Sequence, residues 1–220
     1  DTFVGGSGND SFSASNTTLN AGDSVTGGEG SDTLAVFSAA AATIGGFTAS
    51  GVETISVSST SSTAADVVTL NLGSVSGETG LQVTGSSSSA TFTNTDNIAP
   101  LTLSYNSAGN ATVTYNASTV VGTADAMTVN TIDTANGTVT LAGIETVSIN
   151  NSGVSSLDVL TTTSATTVNV TGSGTLTLTD VDDATKTLDM SAFTGTSTVD
   201  GLGAVDLAIT GGSGNDTIIV

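Results

Sequence analysis

The sequence predicts an all-β protein, an elongated right-handed parallel β-helix or β-roll-like solenoid in which residues 1–220 form a single segment. Three observations indicate this fold: short strand-like runs at regular spacing, a repeated strand unit, and a glycine-aspartate motif that occurs near both ends. Strands at intervals of about 8 to 12 residues fit a sandwich, a barrel or the rungs of a β-helix. The repeat and the thin apolar composition favour the solenoid.

The composition is typical of strands and turns. Charged residues make up only 10% of the chain, and Ser, Thr and Asn supply most of the polarity. Thr is β-branched and favours strands, whereas Ser and Asn favour turns. Aromatic residues make up 4% and Trp is absent, so we expect a narrow core of Val, Ile, Leu and Ala.

Strand-like runs follow one another along the chain, with turn residues between them. Several of them alternate apolar and hydroxyl side chains, as in 167–171 (TVNVT) and 175–179 (TLTLT), which places the two types on opposite faces. The predicted strands are Val52–Val57, Val67–Leu72, Leu81–Thr84, Leu101–Tyr105, Ala111–Tyr115, Met127–Ile132, Thr138–Leu141, Thr146–Ile149, Thr166–Val170 and Leu176–Thr179.

One strand unit is repeated. The segment 51–57 (GVETISV) recurs at 143–149 (GIETVSI), with Gly, Glu, Thr and Ser retained and the apolar residues exchanged conservatively. Repeated strand units favour a solenoid. Glu53 and Glu145 occupy equivalent positions in the two copies, where they either bind a cation or protect a strand edge against aggregation.

The charge of the chain is strongly one-sided. There are 20 acidic residues, a single basic residue (Lys186), no His and no Cys, and the net charge is -19. Binding of nucleic acid or of an anionic membrane surface requires basic patches that this chain cannot build. No apolar run approaches the roughly 18 residues of a membrane span, so direct membrane insertion is not expected. The expected partners are cations.

The same composition argues against an enzyme. Without His, Cys or Arg the chain has no triad base, no thiol nucleophile and no cationic clamp, and only carboxylates remain for acid-base chemistry. Glycosidases use two carboxylates, but their sugar platforms need aromatic faces that are scarce here. We therefore predict a protein without catalytic residues.

The motif near both ends predicts calcium binding. The segments 5–10 and 211–216 are identical (GGSGND), and 27–32 (GGEGSD) is a close variant. They match the G-G-x-G-x-D-x-U-x nonapeptide, in which a glycine-rich turn binds Ca²⁺ and a strand follows. Ca²⁺ requires six to eight oxygens at roughly 2.3 to 2.6 Å, and glycine lets backbone carbonyls converge while the aspartate adds charge.

The predicted calcium ligands lie in these turns and just before two of them. Asp1 and Asp23 each precede a turn by four residues and could close a site from the flanking strand. The first two turns are 22 residues apart, longer than the roughly 18-residue coil of two stacked nonapeptides, so we expect isolated turns at the joints of a larger β structure. The candidate metal ligands are Asp1, Gly5, Ser7, Asn9, Asp10, Asp23, Gly27, Glu29, Asp32, Gly211, Ser213, Asn215 and Asp216.

A further acidic cluster has two interpretations. It is either a solvated turn with Lys186 as local counter-charge or another calcium site. Its members are Asp180, Asp182, Asp183 and Asp189.

The glycine-aspartate turns, the repeated G-[VI]-E-T-[IV]-S segment, residues 188–195 (LDMSAFTG) and the hydroxyl-rich strands together resemble the calcium-binding RTX surface-layer proteins of Gram-negative bacteria, of the Caulobacter type. The resemblance covers nearly the whole chain. It implies a β-solenoid body, calcium-dependent folding, secretion by a type I system and assembly into a lattice. The chain has isolated copies of the turn instead of a long array, which leaves the number of ions open.

The sequence thus leads to one expected function and one alternative. We expect a structural, calcium-binding segment of a longer secreted protein at the bacterial cell surface, which associates with itself into a lattice or filament and has surface polysaccharide as a further candidate partner. The alternative is a stalk repeat of a giant RTX adhesin, also secreted by a type I system.

Overall fold

The computed structural model describes residues 1–63, 65–200 and 206–219, and in these ranges the chain is an all-β solenoid of about ten coils. All strand pairings are parallel, and no described segment forms a helix that could cross a membrane. The strands are β1 (Thr2–Ser7), β2 (Ser11–Ser15), β3 (Ser24–Glu29), β4 (Thr33–Ser38), β5 (Ala42–Ile44), β6 (Thr48–Ser50), β7 (Thr54–Ser59), β8 (Val67–Asn71), β9 (Val75–Ser76), β10 (Gly80–Thr84), β11 (Ser89–Thr95), β12 (Leu101–Ser104), β13 (Ala111–Tyr115), β14 (Ala126–Ile132), β15 (Ala135–Ser152), β16 (Val154–Gly172), β17 (Thr175–Val181), β18 (Thr187–Phe193), β19 (Thr196–Val199), β20 (Ala208–Thr210) and β21 (Asp216–Ile218).

The coils stack so that each strand pairs with the equivalent strand of the next coil. One stack contains β1, β3, β6 and β9 and is limited to the N-terminal coils. A second begins with β2, β4, β7, β10, β12 and β14, and a third begins with β5, β8, β11 and β13. The long strands β15 and β16 belong to both of the latter stacks.

Coil length varies because the loops between strands vary while the inward positions stay in register. Leu81 lies beside Leu101 and Leu101 lies beside Val129, so one coil takes 20 residues and the next takes 28. Extra residues therefore leave the stack at the loops and do not disturb the pairing. Such tolerance is expected where insertions lie on the surface.

The core is a column of apolar side chains from successive coils. Burial of each such side chain contributes roughly 1.5 to 3 kcal/mol, and outward neighbours are mainly Thr, Ser and Asn, as the alternation predicts. In the second stack the inward column is Phe12, Leu34, Ile55, Leu81, Leu101, Val129, Ile149 and Val170.

The predicted all-β solenoid is confirmed, and most predicted strands lie within an observed one. The prediction of separate strands at Thr138–Leu141 and Thr146–Ile149 is wrong, since both belong to β15. Gly143, at φ +79°, lies between them, and the pairing register with β16 shifts there without ending the strand. β11 is absent from the predicted strands, although its Phe92 is fully buried in the core.

Candidate metal centre at one corner of the solenoid

The two N-terminal glycine motifs lie directly one above the other. Gly6 pairs with Gly28 and Ser7 pairs with Glu29, through strands β1 and β3. The 22-residue spacing is therefore the length of one coil, and the expectation of isolated turns is wrong for this pair. The first half of each motif is strand, and only the second half turns the chain toward the next face.

Glycine is required here by backbone crowding as well as by conformation. A Cβ at Gly27 would overlap the carbonyl oxygen of Gly51, and a Cβ at Gly28 would overlap that of Gly6. Gly28 also has a φ of +123°, a value that other residues rarely adopt. The glycines thus allow backbone carbonyls of adjacent coils to approach closely at this corner.

Two carboxylates of the stacked turns are linked through the backbone. The N–H of Asp10 donates a 2.7 Å hydrogen bond to Oδ1 of Asp32, and the N–H of Asp32 donates one of 2.7 Å to Oε2 of Glu53. Asp32 is fully buried. Three consecutive coils therefore each place an acidic side chain at the same corner.

The second oxygen of each aspartate has no partner. Oδ2 of Asp10 and Oδ2 of Asp32 are buried and make no hydrogen bond. Each faces the first glycine of its own motif, since a Cβ at Gly5 would collide with Asp10 Oδ2 and one at Gly27 with Asp32 Oδ2. The free oxygens thus lie inside their turns, beside the crowded carbonyls.

Neutral polar groups buried elsewhere in the solenoid are satisfied. Asn106 accepts from Ser86 N–H at 2.9 Å and donates to the Val83 carbonyl at 3.1 Å. Asn151 accepts from the Thr131 hydroxyl and donates to the Ser173 carbonyl, both at 2.8 Å. Within the described residues, the buried side-chain atoms without a partner all belong to carboxylates. An unsatisfied buried polar group costs roughly 1–3 kcal/mol, and a charged one more.

Asp1 and Asp23 pair with each other instead of extending into the turns. The backbone nitrogen of Asp1 donates to Asp23 Oδ1 at 2.6 Å, and the N–H of Asn20 donates to Asp23 Oδ2 at 2.7 Å. Both carboxylate oxygens of Asp23 are thus engaged, and it closes the turn that begins at Asn20.

The remaining motif residues of the N-terminal turns connect the coils. Asn9 accepts from Ser31 N–H at 2.9 Å through its side-chain oxygen. The carbonyl of Glu29 accepts from Gly8 N–H at 2.7 Å, while the Glu29 side chain is exposed. Ser7 is exposed in β1. Their contribution to a cation would come from backbone carbonyls rather than from side chains.

The third turn, near the C-terminus, differs from the first two. Asp216 accepts from Gly212 N–H at 2.8 Å and from the Ser197 hydroxyl at 2.6 Å, so both of its oxygens have partners. Its turn packs on 194–196, where a Cβ at Gly214 would overlap the Gly195 carbonyl and no acidic residue is present. Gly211, Ser213 and Asn215 therefore belong to a turn with one carboxylate, already satisfied.

The acidic cluster at 180–189 is divided among the end of β17, the turn that follows it and β18. Asp182 accepts from Ala184 N–H at 2.9 Å. Asp189 accepts from Ser191 N–H at 2.9 Å, and hydrogen bonds from the Ser191 side chain and backbone lower its pKa. The Asp182 bond is that of a turn-forming residue, whereas Asp189 and Ser191 both lie within β18, where the pairing register with β16 shifts. Oδ1 of Asp180, in β17, is buried without a partner.

Two acidic residues outside the motifs extend the corner. In the sequence, Glu53 is indicated only by the strand repeat. Glu145, the equivalent residue in the second copy, makes the same kind of bond, because its Oε2 accepts from Asp125 N–H at 2.9 Å. Glu78, in the next coil after Glu53, had no signal in the sequence. It is 1% exposed, neither carboxylate oxygen has a partner, and burial, assisted by the charge of Asp96, raises its pKa.

The donor set limits what this corner can bind. Across the described ranges, no three acidic side chains converge closely enough to hold a metal ion by themselves. A cation at the turns would therefore take most of its oxygens from backbone carbonyls and only one or two from carboxylates. Ca²⁺ accepts such mixed, irregular oxygen sets, whereas Mg²⁺ demands near-ideal octahedral geometry.

Comparison with known proteins adds no family to these observations. Neither a scan against protein-family models nor a search of curated proteins finds a match to the chain.

Proposed function

We propose that this chain is a structural, calcium-binding segment of a secreted bacterial surface-layer protein that assembles with copies of itself. The observation that carries the proposal is the pair of stacked turns in which Asp10 Oδ2 and Asp32 Oδ2 are buried, unpartnered and directed at glycine backbone. A cation among the carbonyls and these two oxygens removes the cost of burying them.

Calcium then acts as a clamp on the first coils. The chain has no disulfides, and its small side chains give a narrow core, so a cation that joins two coils adds stability where apolar burial is least. Binding to the folded state alone stabilises it in proportion to the logarithm of the calcium concentration.

The role in assembly follows from charge. Copies with a net charge of -19 repel one another at distances below the Debye length of roughly 8 Å, so close packing requires bridging cations. These features support a structural subunit without catalytic residues.

A calcium titration followed by light scattering and electron microscopy tests this function. We expect sheets or filaments in millimolar Ca²⁺ that dissolve on chelation, with Mg²⁺ a poor substitute. A folded protein that stays monomeric throughout the titration would contradict surface-layer assembly and favour the adhesin stalk. A protein whose melting temperature is the same in Ca²⁺ and EDTA would contradict calcium binding altogether.

A further inference from the structure

Glu78 is the most unusual buried group in the solenoid. Its side chain is 1% exposed, and both Oε1 and Oε2 are buried without a hydrogen-bond partner. It lies in the turn between β9 and β10, two residues before the strand that pairs with β7. A buried carboxylate without any partner is strongly disfavoured unless a counter-charge or a proton accompanies it.

The turn that carries Glu78 packs directly against the one that carries Glu53. The carbonyl of Glu53 accepts from Thr79 N–H at 2.8 Å and from Gly80 N–H at 2.9 Å, and Ser50 pairs with Ser76. Glu78 therefore continues the corner formed by Asp10, Asp32 and Glu53. Adjacent coils are about 4.8 Å apart, so acidic side chains at this corner repel unless a cation lies between them.

The surrounding residues fix the turn and supply no positive charge. The side-chain amide of Asn97 donates to the carbonyl of Glu78 at 2.6 Å, which holds the backbone of the turn. The preceding residue, Asp96, is acidic, and burial together with this negative charge raises the pKa of Glu78. The one basic side chain of the sequence, Lys186, belongs to a distant coil, where its N–H bonds the Thr166 carbonyl.

We propose that Glu78, together with backbone carbonyls of its own turn and of the adjacent turn that carries Glu53, binds a divalent cation of the calcium class. This site goes beyond the proposed function, because neither residue belongs to a glycine-aspartate motif and the burial of Glu78 carries the inference independently. The cation joins the third and fourth coils, as the motif sites join the first and second. The ion-bound part of the solenoid thus extends through its first four coils.

Calcium titration of variants by calorimetry and thermal melting tests this site. Glu78→Gln keeps the shape and removes the charge, so we expect one calcium site fewer and a smaller rise in melting temperature on addition of Ca²⁺. In EDTA the variant should melt at or above the wild-type temperature, since the buried charge is gone. Asp158→Asn, in which the altered side chain is exposed on β16, should behave like the wild type.

The outcomes separate this site from the motif sites. Wild-type stoichiometry and an unchanged calcium response in Glu78→Gln would overturn the proposal, even if calcium binds the glycine turns. In the Asp10→Asn, Asp32→Asn, Asp216→Asn triple variant we expect residual calcium binding that disappears when Glu78→Gln is added, and residual binding that persists would overturn it too. Should Glu78→Gln fail to fold, Glu78→Met, which has a similar length and no charge, gives the same comparison on the same triple background.

Discussion

Asp32 Oδ1 accepts a 2.7 Å hydrogen bond from the backbone N–H of Asp10, one coil earlier, while Asp32 Oδ2 is buried without any partner. Oδ1 thus stabilises the stacking of the coils, and Oδ2 remains available to bind a cation. Asp32 in turn donates its own N–H to Oε2 of Glu53, in the next coil. A carboxylate held in this way is positioned before any cation arrives, which lowers the entropic cost of binding.

Removal of the free charge at Asp32 should weaken the response to calcium and spare the calcium-free fold. In Asp32→Asn the side-chain oxygen still accepts from Asp10 N–H, while the unpartnered charged oxygen is lost. We expect the stabilisation by Ca²⁺ to fall by about 2 kcal/mol, or roughly 4 to 8 °C in melting temperature for a chain of this size. Asp158→Asn, an exposed site on β16, serves as control and should leave the calcium response unchanged.

Two neighbouring glycines should differ sharply in their tolerance of a methyl group. In Gly27→Ala the new Cβ overlaps the Gly51 carbonyl, so we expect a loss of about 3 kcal/mol in unfolding free energy. In Gly6→Ala the Cβ meets nothing within 4 Å, and the change should stay within about 0.5 kcal/mol. Denaturant unfolding in EDTA measures both, and equal losses would contradict the crowded corner.

Asp189 should titrate as a carboxyl that is hydrogen-bonded to Ser191 within β18. Hydrogen bonds from Ser191 lower its pKa below the usual 3.8, so this carboxyl contributes stability above pH 3.8 that is lost as pH falls through the lower folded-state pKa. NMR titration should show a lowered pKa that moves upward in Ser191→Ala and is unaffected by Ca²⁺. A pKa that shifts on addition of calcium would make the 180–189 cluster a cation site instead.

The sequence was sufficient to predict the solenoid because its signals are local. Alternation such as that of 175–179 and the repeated unit at 51–57 and 143–149 each indicate strands by themselves. Glu78 could not be found in this way, because its burial depends on the 26-residue offset between β7 and β10, which no short motif encodes. The stacking of the two N-terminal turns was missed for a related reason: the loops, and not the nonapeptide, set the coil length.

Hydrogen exchange with and without calcium tests the central claim most directly, because it locates the effect of the ion along the chain. The account predicts that Ca²⁺ slows amide exchange in 5–10 and 27–32, including the N–H groups of Asp10 and Asp32, and has little effect on β12 and β14. Exchange rates in 5–32 that are the same in millimolar Ca²⁺ and in EDTA, for a protein folded under both conditions, would contradict it.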